Sequence, residues 1–374
     1  MKQKIRNIIR LGIKELRGLR HEPLLLLLIA CSFSVTLYIG AKAAPDGIRH
    51  AAVAVADYDR SPLSQRITDA FLAPMFAPVK FLEQPEIDPA MDRGKYTFIV
   101  VIPAGFQQRT LDRSNPEIQL IVDATRMSQA FTGSGYISRI IAEETDKFVR
   151  LQNPEKPLYT ARTVIRCRYN PNLTRSWEGA VRELAGNVTM LALILAGASM
   201  IRERERGTLE HLLVMPVTPF EIMSSKIWSM TLVVLLAAGL SLLCVIRGLL
   251  GIPVSGSFGL FLAGVLLNLF AVTSLGILLA CLSRDMPQLG ILLILVLLPM
   301  QILSGGTTPQ SSMPPVIQAV AQFFPTTHFM RFSKAVLFRD AGLETVWPEF
   351  LKMSAIGILC FFLALRRFRK MAAG

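Results

Sequence analysis

The residues dense enough in charge, and regular enough in spacing, to do chemistry lie in one short run. It reads Arg202-Glu203-Arg204-Glu205-Arg206-Gly207-Thr208-Leu209-Glu210. Glu210 stands four residues after Arg206, a spacing that supports a helix. Leu209, Leu212 and Leu213 fall close together on one helical face, Val214 and Met215 follow, and Pro216 stops the helix. Thr218-Pro219-Phe220-Glu221 then restarts one, with Thr218 as the cap and Glu221 reciprocating. The chemistry on offer is recognition rather than catalysis. A charged face beside an apolar stripe can dock into a groove on another protein. The same pattern also suits a solvated connector whose leucines rest on a membrane.

Nothing else in the chain offers a reaction centre. The patches Ser304-Gly305-Gly306 and Gly133-Ser134-Gly135 lack the lysine and following Ser/Thr of a phosphate cradle. Neither HExxH nor GxSxG occurs. His21, His50, His211 and His328 are scattered. Cys31, Cys244, Cys281 and Cys360 sit in or beside apolar runs and read as small buried hydrophobes, leaving Cys167 alone in the polar segment, and no pair has metal-ligand spacing. The expectation is a chain that is not itself an enzyme and carries no catalytic residue, cofactor or metal.

What must position the charged run is a membrane. The 374 residues are 52% hydrophobic and only 18% charged, with a mean hydropathy of +0.44. The apolar residues are blocked into runs long enough to span a bilayer. The net charge of +13 could suggest a nucleic-acid binder, but its location says otherwise. Seven Lys/Arg against two acids lie in residues 1–23, and Arg366-Arg367-Phe368-Arg369-Lys370 adds four more. Both clusters abut apolar runs, so they read as cytoplasmic anchors on anionic lipid and not as a nucleic-acid surface.

In chain order, residues 1–23 form a basic amphipathic helix for the cytoplasmic interface, with Ile5, Ile8, Ile9, Ile13, Leu16 and Leu19 at helical spacing. The first span is 24–41. Ala41-Lys42-Ala43 resembles a cleavage site, but the preceding basic region is too long and helical for a signal peptide, so the span reads as an uncleaved anchor. Residues 42–183 are polar with nearly balanced charge. Strand-like runs at 51–59, 95–103, 117–125 and 164–172 alternate with helical ones, Ser61 capping one of these, and imply a mixed α/β domain. A second span occupies 184–201, a cytoplasmic segment 202–226, and four more spans 227–365, about Ile227–Leu249, Phe258–Leu282, Leu289–Leu303 and Phe350–Leu365. Amphipathic or re-entrant outer helices are expected near 316–338, and 366–374 is a basic cytoplasmic tail. The fold class is a polytopic α-helical membrane protein of six transmembrane helices with an extracytoplasmic α/β domain between helices 1 and 2. On this count Arg247, Arg331, Lys334 and Arg339 lie on or near the wrong side for the charge rule.

This plan, one span, a large external domain, then five spans, resembles the ABC-2 type permeases, the bacterial multidrug-export-like branch with a big periplasmic domain. The resemblance rests on Ile201 to Glu210 continuing through Pro216-Val217-Thr218-Pro219, with Asp123-Ala124-Thr125, Ser283-Arg284-Asp285-Met286-Pro287-Gln288 and Leu303-Ser304-Gly305-Gly306-Thr307-Thr308-Pro309 as further similar positions. It implies that Glu203, Arg204, Glu205, Arg206, Gly207, Thr208, Leu209, Glu210, Leu212, Leu213, Pro216 and Pro219 couple to a separate cytoplasmic ATPase. ATP and Mg2+ would be bound by that ATPase and not by this chain. A second permease subunit, identical or similar, is implied as a partner, and a periplasmic adaptor is compatible with the plan. The location implied is the bacterial inner membrane with both termini cytoplasmic. Spans without a central Asp or Glu suit a drug-like or amphiphilic cargo better than a proton relay. The rival readings are a membrane sensor or scaffold whose α/β domain binds a ligand or partner, and a secondary transporter, which the lack of two similar halves weakens.

Overall fold

The computed structural model describes residues 2–43, 51–73, 75–93, 95–112, 114, 116–123, 127–152, 174–207, 217–254, 256–307, 310 and 313–373. The chain divides into two compact units, residues 45–175 and the remainder. The expected strand at 164–172 lies outside the described residues.

The larger unit is helical. An amphipathic helix α1 (Lys2–Arg20) precedes α2 (Pro23–Ala43), and Pro23 opens α2 where its missing N–H costs nothing. The chain returns from the smaller unit in α7 (Arg175–Glu205) and continues through α8 (Pro219–Leu249), α9 (Phe258–Leu282) and α10 (Met286–Leu303). Two short helices, α11 (Pro315–Ala321) and α12 (Pro325–Arg339), lead to α13 (Leu343–Ala373). Six helices, α2, α7, α8, α9, α10 and α13, are long and apolar enough to cross a membrane.

Inside a bilayer every backbone polar group needs a protein partner. The π turn Ser32–Thr36 in α2 shows how this is met. Its widened ladder leaves carbonyls that neighbouring helices reach: Asn187 Nδ2 of α7 donates to Ser32 O at 2.7 Å, and Ser241 Oγ of α8 to Phe33 O at 2.6 Å. The helices approach closely where side chains vanish. A Cβ on Gly276 of α9 would lie 2.7 Å from Leu193 O of α7, so only glycine permits that crossing. Around it Leu191, Leu195, Val265, Leu269, Val272 and Ile277 are fully buried.

The segment before the last span is a helix inside the bundle rather than one resting at its edge. In α12 His328, Phe329, Met330, Phe332, Ser333, Val336 and Leu337 are all buried, and the helix packs against α9 and α13. Two of its basic residues misplaced by the charge rule, Arg331 and Lys334, are held by acids and amides. Lys334 Nζ lies 2.5 Å from Glu178 Oε1 and donates to Gly305 O, and Arg331 Nε donates to Gln310 Oε1 at 2.7 Å. His328 Nδ1 lies 2.6 Å from Glu349 Oε2.

The smaller unit is a mixed four-stranded sheet in the order β2-β1-β3-β4. Strands β1 (Val53–Asp57), β2 (Lys80–Phe81) and β3 (Phe98–Ile102) are parallel, and β4 (Gln119–Val122) is antiparallel to β3. Helices α3 (Pro62–Asp69), α4 (Ile87–Asp92), α5 (Phe106–Leu111) and α6 (Met127–Gln152) complete it. The alternation Val53-Ala54-Val55-Ala56 explains the layering. Val53 and Val55 join Leu63, Ile67, Phe98 and Phe148 on one face, while Ala54 and Ala56 meet Ile87, Ala90 and Tyr96 on the other. Both faces are covered, as parallel strands require. Ser61 caps α3 in a reciprocal box with Ser64, and the Asp59 carboxylate accepts from Phe106 N and Gln107 N at the start of α5.

Candidate coupling site

At one end of the helical unit α7 ends in Arg202-Glu203-Arg204-Glu205, α8 begins at Pro219, and α1 and the last turns of α13 lie beside them. This is the terminal end. The sequence folds here for local reasons. Thr218 Oγ1 accepts from Glu221 N, the Glu221 carboxylate accepts from Thr218 N at 2.6 Å, and Pro219 occupies the first turn, as its spacing predicts.

Helix α1 lies along α8. Ile5, Ile9 and Ile13 are exposed, an apolar stripe suited to lipid, while Gly12 and Leu19 are buried against the bundle. Gly12 is required there: a Cβ would collide with the Trp228 indole. That indole donates from Nε1 to Ile8 O at 3.1 Å, and Asn7 Nδ2 donates to Glu221 Oε1 at 3.2 Å.

At the centre stands Lys226 of α8, only 1% exposed. Its ammonium lies 2.9 Å from Glu15 Oε1 of α1 and 2.7 Å from Glu203 Oε2 of α7, and donates to Ser199 O at 3.3 Å. One cation thus ties three helices. Burial pushes the Glu15 carboxyl above the ordinary carboxylate value; Lys226 opposes this and the neighbouring Glu203 adds to it. Lys14 reaches Glu203 at 3.4 Å from the exposed side.

The remaining charges of the run face other neighbours. Arg202 pairs with Glu22, between α1 and α2, at 2.6 Å, and the more exposed Arg206 lies 3.8 Å from the same carboxylate. Arg204 donates to Ser283 O at 2.6 Å, where α9 ends, and contacts Met371 Sδ of α13 at 3.5 Å. Glu205 Oε1 accepts from Met286 N at 2.8 Å, helping Asp285 cap α10. The four charged residues therefore form a collar touching α1, α9, α10 and α13. Gly207 follows with φ at +66°, a left-handed conformation that ends the helix. Pro219 is half-buried at the start of α8. Thr208, Leu209, Glu210, Leu212, Leu213 and Pro216 lie outside the described residues, as does the Arg206–Glu210 spacing.

Sequence reasoning passed over Glu15, Lys226 and Trp228. The available signal was Lys226 itself, a lone cation in Ile222-Met223-Ser224-Ser225-Lys226-Ile227-Trp228, which a buried helix tolerates only with a carboxylate nearby. Its partner 211 residues away could not be read from spacing. Among the described residues no group of His, Cys, Asp and Glu is placed to hold a metal ion.

Among the described residues the run forms a charged collar where the six candidate spans end. Residues 23–366 match the family described as ABC-2 family transporter protein. The chain belongs to the ABC-2 family. It is 52% identical, over 98% of both chains, to the inner membrane transport permease YhhJ of Escherichia coli. It is 29% identical to the probable multidrug ABC transporter permease YbhR of Escherichia coli, over 89% of this chain and 90% of that one. A second permease bearing the same description, YbhS, is 29% identical over 66% of this chain and 65% of its own length. As an ABC-2 member the chain is a multi-pass, inner-membrane permease subunit, non-catalytic, working with an ABC ATPase subunit that uses ATP and Mg2+. The sensor, scaffold and secondary-transporter readings fall with that membership. The family match begins at Pro23, so α1 is understood from its own contacts.

Proposed function

We propose that this permease exports a drug-like or amphiphilic cargo, and that residues 202–219 receive the stroke of the ATPase. The observation that carries this reading is the collar. Arg202, Glu203, Arg204 and Glu205 are bonded to elements from four parts of the bundle, so a force applied at Gly207 and beyond reaches α1, α9, α10 and α13 together. Interfaces of this kind behave as bistable elements rather than elastic ones. ATP-driven closure of two ATPase subunits would push the segment sideways and shift the spans between binding and releasing states.

In this reading the terminal end is cytoplasmic, because the basic residues of α1 and of Arg366–Lys370 gather there, and the α/β unit is periplasmic. A second permease subunit is the proposed cover for part of the exposed apolar faces of α2 and α10, where Leu24, Leu27, Ile291 and Leu295 are more than half exposed. The α/β unit is the surface left for a periplasmic adaptor. The test is reconstitution with the ATPase subunit in lipid vesicles. Vanadate-sensitive ATP hydrolysis, stimulated by amphiphilic cargo and dependent on this chain, is the expected result. Hydrolysis indifferent to this chain would overturn the reading.

A further inference from the structure

At the end of the bundle opposite the collar, one buried imidazole joins three elements. His328 of α12 is 1% exposed. Its Nδ1 lies 2.6 Å from Glu349 Oε2 of α13, and its Nε2 lies 2.9 Å from the carbonyl oxygen of Gln322, the residue that closes α11. Both distances are those of hydrogen bonds. The two partners fix the roles. A peptide carbonyl only accepts, and so does an ionised carboxylate. Glu349 meets cations at its other oxygen, Lys352 Nζ at 3.5 Å and Arg331 Nη1 at 3.9 Å, the pairing of a carboxylate. Each ring nitrogen must then carry a proton, so the two bonds coexist only in the imidazolium. Neutral imidazole has one N–H and can make only one of them.

What hangs on the Nε2 bond is α11. Ala321 is the only buried residue of that helix, while Val316, Val320 and, just beyond it, Phe323 are exposed. Apolar burial therefore does little to hold α11 in place. The last carbonyls of a helix have no partner within it, and a cationic donor beside them is favourable. His328 supplies that donor. If Nε2 loses its proton, its lone pair faces those of Gln322 O and attraction becomes repulsion. The Nδ1 proton stays with the carboxylate, the stronger acceptor.

We propose that His328 is a proton-operated clasp. As the imidazolium it fastens the end of α11 to α12 and α13; on deprotonation it releases Gln322 and keeps its bond to Glu349. The tie to α11 is thus present at low pH and lost as pH rises through the imidazole titration. The other charges nearby act through Glu349 or elsewhere. Arg331 and Lys352 share its second oxygen, and Lys334, further along α12, is engaged by Glu178 of α7. Helices α9, α10 and α11 carry no charged residue. The export reading enters only in naming the compartment sensed, the periplasm. The clasp needs neither ATPase nor cargo, so a failure of the coupling assignment leaves the outcomes below unchanged.

The test uses the full chain in nanodiscs, where both faces meet one buffer, titrated between about pH 5 and 8. With ring 15N-labelled histidine, the His328 signals are identified by their loss in His328→Gln. Two protonated nitrogens are expected at the low end, and an unprotonated Nε2 beside a protonated Nδ1 at the high end. Over the same range, exchange of the Gln322, Phe323 and Phe324 amides, which close the turn after α11, should quicken about tenfold beyond its intrinsic pH dependence. Glu349→Gln separates a clasp from a merely structural histidine. Its amide can donate to Nδ1, letting neutral imidazole keep its proton on Nε2, so this exchange should become indifferent to pH. Exchange that is flat in the wild type, or as pH-dependent in Glu349→Gln as in the wild type, would overturn the proposal. Ring signals of a neutral imidazole at the low end would overturn it too.

Discussion

The two ends of the helical unit bury charge in mirror-image ways. At the terminal end one cation, Lys226, is clamped by two carboxylates, Glu15 and Glu203. At the opposite end one carboxylate, Glu349, is shared by three bases, His328 at 2.6 Å, Lys352 at 3.5 Å and Arg331 at 3.9 Å. The second cluster joins α12 to α13, neighbours in sequence, and Glu349 is 18% exposed. The first joins α1, whose Glu15 is 211 residues from Lys226, to the consecutive helices α7 and α8 around a fully buried centre. Burial without water makes a charge stranded with no partner severe, and wetter clusters forgive it. The terminal cluster is thus the more brittle joint.

The comparison can be broken first at its stiff end. Lys226→Met should destabilise the protein by about 3–5 kcal/mol, because two carboxylates are left facing one another in a buried site. Thermal unfolding in detergent reads this directly. Adding Glu15→Gln and Glu203→Gln should recover most of the loss, since the penalty belongs to the stranded charges. No recovery would mean that Lys226 acts by packing alone.

At the opposite end Glu349→Gln should cost less, about 1–3 kcal/mol, as His328 loses a charged partner while Arg331 keeps Gln310. A loss equal to that of Lys226→Met would erase the proposed difference between the ends.

The smallest effect is expected from Glu15→Gln. Burial holds the Glu15 carboxyl above its ordinary value, so its charged form is disfavoured in the folded protein. For a raised carboxylate, the stabilising contribution is fully present below the unfolded value, 4.5, and is lost as pH rises through the higher folded value. Docking of α1, read from Trp228 fluorescence, should therefore tighten as pH falls through that window in the wild type. Glu15→Gln should flatten the dependence; an unchanged profile would assign the titration to another group.

How much of this was legible in the sequence follows from the range of the interactions involved. The six spans, the Thr218 and Ser61 caps and strands β1, β3 and β4 are local in origin, arising from apolar run length, hydroxyl-to-carboxylate spacing and alternation. Strand β2 is two residues long and carries too little pattern to be seen. The burial of α12 was hidden because its charges, Arg331 and Lys334, signal a surface until Gln310, Glu349 and Glu178 are brought to them. The exposure of Cys31 and Cys244 was equally hidden, since an apolar run does not say which of its faces meets protein and which meets lipid. In the coupling site the charged run was conspicuous, but its meaning changed. Glu203, read as a surface carboxylate for a partner, is 12% exposed and committed to Lys226. Glu205 and Arg206 are the exposed members of the run.

The central claim is that this face receives an ATPase, and the direct measurement is recovery of the complex. Glu205→Lys together with Leu213→Asp should abolish copurification of the ATPase subunit and transport while membrane insertion stays intact. Because Glu205 also caps α10, Leu213→Asp alone must reproduce most of the loss. A complex recovered at wild-type yield, with ATP hydrolysis still coupled to cargo, would contradict the account.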